Sequence, residues 1–91
     1  MARIERVAWA PSFKRAFRKR VLGSPVEKVF RERLEMFIKD PFAPGLKTHK
    51  LTGALSGLWA FSVGYDCRVV VDIISPKEVI LVDIGPHDDV Y

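Results

Sequence analysis

The sequence has no asparagine, no glutamine, one cysteine and two histidines. A lone Cys67 excludes an intrachain disulfide and any cysteine-cluster zinc site. Charged residues interrupt every apolar run, so nothing approaches the roughly 18 residues of a membrane span. The start, MARIERVAWAPSFKR, lacks the apolar block and small-residue cleavage site of a secretory signal, and the expected location is the cytoplasm. There is no Gly-rich phosphate loop, no GxSxG and no dinucleotide fingerprint. Thr52-Gly53-Ala54 and Ser56-Gly57 lack the strand–loop–helix setting of a phosphate cradle. Chains from hot environments lose the labile amides. Genome base composition has the same effect, so that absence assigns no source.

What is present is a chain of 91 residues, 48% hydrophobic and 29% charged. That length makes one domain, residues 1–91, able to bury a modest core without staples. A mean hydropathy of +0.06 excludes a disordered chain. The net charge of +4 is unevenly spread. Residues 1–39 hold eleven Lys/Arg against four Asp/Glu, and residues 40–91 hold four against seven. The basic half is either a solvated helix face or a surface for a polyanion or an acidic partner.

Residues 4–9 (IERVAW) read as a first strand. Pro11 then opens a helix with Phe13, Ala16 and Phe17 on one stripe, and Gly23 ends it. Ser24-Pro25-Val26-Glu27 has the pattern of a capping box with proline at the first helical position. Val26, Val29, Phe30, Leu34, Phe37 and Ile38 follow at helical spacing, and Asp40-Pro41 stops that helix. The stretch to Gly57 is irregular. From Leu58 the period becomes two, with a hairpin turn at Gly64-Tyr65-Asp66 and a second turn at residues 75–78. The later strands are expected over residues 68–74 and 79–84, with Gly85-Pro86 ending the last. The expected fold class is α+β, ordered β-α-α-β-β-β, with two helices packed on one face of a mostly antiparallel four-stranded sheet. The pattern does not decide where the first strand joins.

His49 precedes the sheet and His87 follows its last strand. Standing alone, two loop histidines that bond to backbone are the commoner case. Together with Asp66, Asp83, Asp88 and Asp89 they lack the tight spacing of a metal site, so no metal and no cofactor is expected. Imidazole titrates near neutrality, which suits acid–base work better. Asp66 and Arg68 are two apart at the start of a strand and are expected on one face, ordinarily as a surface ion pair. Cys67 faces the other way as a packed small residue.

Residues 46–70 (LKTHKLTGALSGLWAFSVGYDCRVV) are more specific. They resemble the RelE/ParE toxin superfamily of bacterial type II toxin–antitoxin systems. Residues 83–91 (DIGPHDDVY) are similar to the ending of its RelE/YafQ-like branch, and Trp9-Ala10-Pro11-Ser12-Phe13 before a basic helix also fits. The resemblance implies a β-α-α-β-β-β domain that cleaves mRNA, often on the ribosome, and is silenced by a cognate antitoxin protein. By motif position it implies catalytic roles for His49, Asp66, His87 and Tyr91. A histidine that the branch carries in the next strand is Ser62 here, and a basic residue of some members is Asp83. Arg68 is then the cation available in their place. A ParE-like inhibitor of DNA gyrase, or an inactive antitoxin-binding relative, is the alternative implied. The histidine pair favours the nuclease.

Metal-free RNA cleavage uses the substrate's own 2′-hydroxyl as nucleophile. It needs a base for that hydroxyl, an acid for the leaving oxygen and a cation for the charged phosphorane. Histidine and aspartate can share the first two roles, and Arg68 or Lys50 can fill the third. Lys14, Arg15, Arg18, Lys19 and Arg20, with Lys47 and Lys50, are the candidate RNA-binding residues. Tyr91 offers a ring for stacking on a splayed base. Tyr91→Phe should therefore keep most activity, whereas Tyr91→Ala should weaken RNA binding by ~1–3 kcal/mol in a direct titration.

Overall fold

Two prolines open the two helices of this chain. The computed structural model describes residues 3–86, so His87 and Tyr91 lie outside the described residues. Pro11 starts α1 (Pro11–Arg20) and Pro25 starts α2 (Pro25–Lys39), each where a missing N–H would have had no helical partner. Ser24 caps α2, its Oγ accepting from the Val26 N–H at 3.2 Å. Glu27 does not close the expected capping box on Ser24. Its carboxylate accepts from the Gly23 N–H at 2.9 Å instead, while the Ser24 N–H donates to the Val21 carbonyl. The Gly23 N–H, and after it the Arg31 guanidinium, holds the Glu27 carboxyl below its usual range. The stabilisation from that shift is present above the ordinary carboxylate pKa and is lost as pH falls through the lowered one.

The sheet has five strands rather than four, in the order β1-β5-β4-β3-β2. They are β1 (Arg6–Trp9), β2 (His49–Lys50), β3 (Trp59–Val63), β4 (Cys67–Ser75) and β5 (Glu78–Pro86). The additional strand is β2. Two residues show no period of their own, and β2 exists only by pairing with Trp59 and Ala60. β5 also runs past the expected stop and takes in Gly85 and Pro86, which pair with Arg68 and Cys67. Proline is tolerated at that terminal position. β1 joins β5 in parallel, and the other pairings are antiparallel.

One face of the sheet carries the main core. Phe13, Phe30, Phe37, Phe61, Val69, Leu81 and Ile84 are fully buried there. Trp9, Phe13, Phe17 and Phe30 form an aromatic group with centroids 4.9–6.2 Å apart, joining β1 to both helices. Phe37 of α2 stacks on Phe61 of β3 at 4.5 Å. The opposite face has a smaller apolar cluster, in which Leu51, Leu55 and Leu58 pack on Ala60, Val70 and Val82. No described helix is long and apolar enough to cross a membrane.

A bulge sets which side chains of β5 meet which face. Val71 opposes Leu81, but Val70 opposes Asp83, so Val82 is an extra residue on β5. The shift puts Ile84 into the main core and turns Asp83 and Gly85 to the other face, beside Val70 and Arg68. Phe61→Ala should destabilise by about 3–5 kcal/mol in denaturant titration, because it empties a fully buried stack. Tyr65→Ala, at a hairpin residue 99% exposed, should stay within about 0.5 kcal/mol of the parent.

Candidate functional site

Strand register gathers the polar candidates on the face away from the helices. His49 opposes Ala60, Ala60 opposes Val70, and Val70 opposes Asp83, making a row across four strands. Ser62, Arg68 and Gly85 make the next row. Directly opposed residues project to one face, so His49, Ser62, Arg68 and Asp83 share it. Strand spacing puts the two ends of the first row about 14 Å apart.

His49 is exposed, and its Nδ1 lies 2.9 Å from the Lys47 carbonyl oxygen. A carbonyl only accepts, so Nδ1 is the donor in this contact. Lys47 presents that carbonyl from a left-handed backbone, at φ 52°. This geometry costs a non-glycine residue roughly 1–2 kcal/mol. A shallow cleft of about 370 Å³ lies against His49, lined also by Lys50, Thr52 and Leu55. Ser62, where a histidine was absent, is buried at 7% exposure.

Several candidates fall elsewhere. Lys50 alternates to the helix side, where its Nζ lies 5.5 Å from the Trp59 ring centroid. Phe42 packs edge-on against the same ring at 5.4 Å. Asp66 is exposed in the hairpin turn rather than in β4, so strand alternation does not place it beside Arg68. The expected Asp66–Arg68 ion pair is not among the four between described residues. Instead, Arg68 Nη1 donates to the Cys67 carbonyl at 3.1 Å.

The basic helix divides into two sets. Lys14, Arg15, Arg18 and Lys19 are exposed. Arg20 is not part of that solvated face. Its Nη1 donates to the Ile84 carbonyl at 2.9 Å and lies 3.5 Å from Asp83 Oδ1. Its acidic partner is 63 positions away in sequence, outside α1 and its neighbours. Asp83 is further held by the Ile84 N–H at 2.9 Å. Gly85 makes room for this arrangement, since a Cβ there would sit 2.6 Å from Arg20 Nη1. Asp83 and Gly85 were not read as working together with Arg20. The available signal was the spacing of Ser12 and Arg20 on one side of α1, which no local period links to β5.

Fold and site geometry can be set against known structures. The copper-bound mutant toxin from Helicobacter pylori superposes with a TM-score of 0.75 at 24% identity, over 97% of this chain and 100% of that one. A YoeB/ParE toxin from Agrobacterium tumefaciens gives 0.69 at 15% identity, over 90% and 98%. The Escherichia coli DinJ–YafQ complex gives 0.67 at 17% identity, over 96% and 98%. The fold is that of the RelE/YafQ-like toxins. No family model and no curated protein matches the chain. Among the described residues of this RelE/YafQ-like fold, no group of three or more His, Cys, Asp or Glu could hold a metal.

Cys67 borders a second cleft, on the helix side, with Val21, Val26, Val29 and Val63. Burial pushes its thiol up, and hydrogen bonds from the Gly85 and Arg68 backbone only partly oppose this. A raised pKa means less thiolate at pH 8. Iodoacetamide should therefore modify Cys67 more slowly than a free cysteine at that pH, and denaturant should remove the difference. Equal rates in folded and unfolded protein would contradict the burial argument.

Proposed function

We propose that this chain is the toxin of a type II toxin–antitoxin pair and that it cleaves mRNA through the substrate's own 2′-hydroxyl. The observation that carries the reading is the single sheet face shared by His49, Ser62 and Arg68. His49, whose ring is oriented by the contact of Nδ1 with the Lys47 carbonyl, is the group suited to take the proton from the 2′-hydroxyl. Arg68 supplies positive charge for the phosphorane, whose extra negative charge develops only during reaction. The leaving 5′-oxygen needs an acid, and His87 is proposed for it on sequence position. Tyr91 is proposed to stack on a neighbouring base. Asp66, at the hairpin, is proposed to orient a histidine or a water. No metal enters this scheme, because the nucleophile is already part of the substrate.

The partners follow from the same reading. The exposed Lys14, Arg15, Arg18 and Lys19 provide a phosphate-binding surface for mRNA and ribosomal RNA. Lys47, exposed beside His49 at the opposite edge of the sheet, adds a separate positive charge next to the site. One structure of this fold is the DinJ–YafQ complex. A cognate antitoxin is accordingly proposed as the protein partner, and its chemistry should include acidic residues to meet the basic helix.

Expression without an antitoxin should arrest growth and produce new 5′ ends within coding regions, detected by primer extension. His49→Ala should slow cleavage by roughly 10²–10⁴-fold if the ring transfers a proton. Its thermal melt should stay near the parent's, because the side chain is exposed. Intact mRNA accompanied by gyrase-dependent DNA breaks would replace this reading with a ParE-like one.

A further inference from the structure

The Arg20 guanidinium is held by one nitrogen only. Its two contacts, to the Ile84 carbonyl and to Asp83, are both made by Nη1. Among the described residues, Nε and Nη2 take no further hydrogen-bond partner. The side chain is 27% exposed, so it is pinned and yet reachable. Its guanidinium lies where a side chain of residue 85 would project. Gly85 opposes Arg68 in register, so the Arg20 guanidinium, reaching from the end of α1 past the edge of β5, lies next to the row that holds Arg68, while Arg20 and Gly85 also border the helix-side cleft beside Cys67. The row then reads Ser62, Arg68 and, in place of a residue-85 side chain, Arg20.

A fixed guanidinium with a free edge suits one class of ligand. Two parallel N–H groups match two oxygens of a phosphodiester, and fixing the fork beforehand reduces the entropy lost on binding. We propose that Arg20 binds the RNA backbone phosphate that lies along this row, whereas Lys14, Arg15, Arg18 and Lys19 only attract the polyanion. The proposal rests on the nuclease reading for the identity of the RNA, but not for the site itself. Asp83 opposes an anion here through its charge. Its Oδ1 is already engaged by Arg20 and by the Ile84 N–H, so its charge limits affinity, while the hydrogen bond to the Ile84 carbonyl keeps the guanidinium aimed. Arg20 is thus a binding residue, Gly85 is its positioning residue, and Asp83 competes with the anion.

The probe is a fluorescent RNA oligonucleotide with 2′-O-methyl sugars, which cannot be cleaved through the 2′-hydroxyl. Anisotropy titration measures its binding to the full chain. Arg20→Lys replaces the fork by a point charge and should weaken binding at least tenfold. Gly85→Ala keeps every cation but displaces the guanidinium, and should weaken binding to a similar degree. Asp83→Asn should tighten binding several-fold, a gain that misfolding cannot produce. Ser12→Ala removes the companion contact from α1 to β5, the bond to the Val82 carbonyl, and should leave binding unchanged.

Wild-type affinity in Arg20→Lys and Gly85→Ala, with no gain in Asp83→Asn, would overturn the proposal. A parallel assay on RNA with free 2′-hydroxyls separates the two readings. Failure of the parent protein to cut that RNA, alone or with ribosomes, counts against the nuclease and leaves the binding results standing. Cleavage by the parent together with unaltered binding by the variants counts against the Arg20 site alone.

Discussion

The outer edge of β5 is only half covered by a strand. β1 pairs with Glu78 to Leu81 and then turns away, while β5 continues to Pro86. Beyond that point the backbone carbonyls on the open side need donors, since an unpaired row is both unsatisfied and prone to pair with other chains. α1 closes it. The Ala10 N–H reaches the Leu81 carbonyl, Ser12 Oγ the Val82 carbonyl at 2.7 Å, and Arg20 the Ile84 carbonyl. Much else follows from this closure. α1 must lie along β5, so its apolar stripe of Phe13, Ala16 and Phe17 turns inward onto Trp9 and Phe30. Its remaining cations are left to face solvent.

The same closure links the scaffold to the candidate site. The face remote from the helices is filled at one end by Leu51, Leu55 and Leu58 and carries its polar residues beyond them. Which residues of β5 reach that face depends on the bulge at Val82. Without it, Asp83 would point into an apolar core, at the cost of a buried charge, and Ile84 would point out. With it, Ile84 fills the core, Asp83 meets Arg20, and Gly85 leaves room for the guanidinium. A local irregularity therefore reconciles a well-filled interior with charge on the opposite face of the sheet.

Helices were readable because their signals are local. Val29, Phe30, Phe37 and Ile38 recur at helical spacing, and Pro25 and Asp40-Pro41 mark the ends. The β3 and β4 strands were readable from branched and aromatic residues around a Gly64 turn. β2 was not, because two residues contain no period. His49 and Arg68 were found as chemically apt types in a specific motif. The shared face of His49, Ser62 and Arg68 came only with the register of three strands. Asp66 went the other way. Its spacing from Arg68 promised a common face, but the turn continues through it.

The sequence by itself determined both helices and four of the strands, their order, the cationic helix and the residue types available for acid–base chemistry. Each of these depends on neighbours within a few positions, where helical and extended backbones impose their own periods of 3.6 and two. Tertiary structure alone decided that β1 joins β5 in parallel, that the sheet has a fifth strand, and that Arg20 leaves the solvated set for Asp83 and Ile84. The physical reason is distance along the chain. A contact between residues 20 and 84 has no local signature, and it exists only once strand order, a one-residue bulge and the placement of α1 have all been settled together.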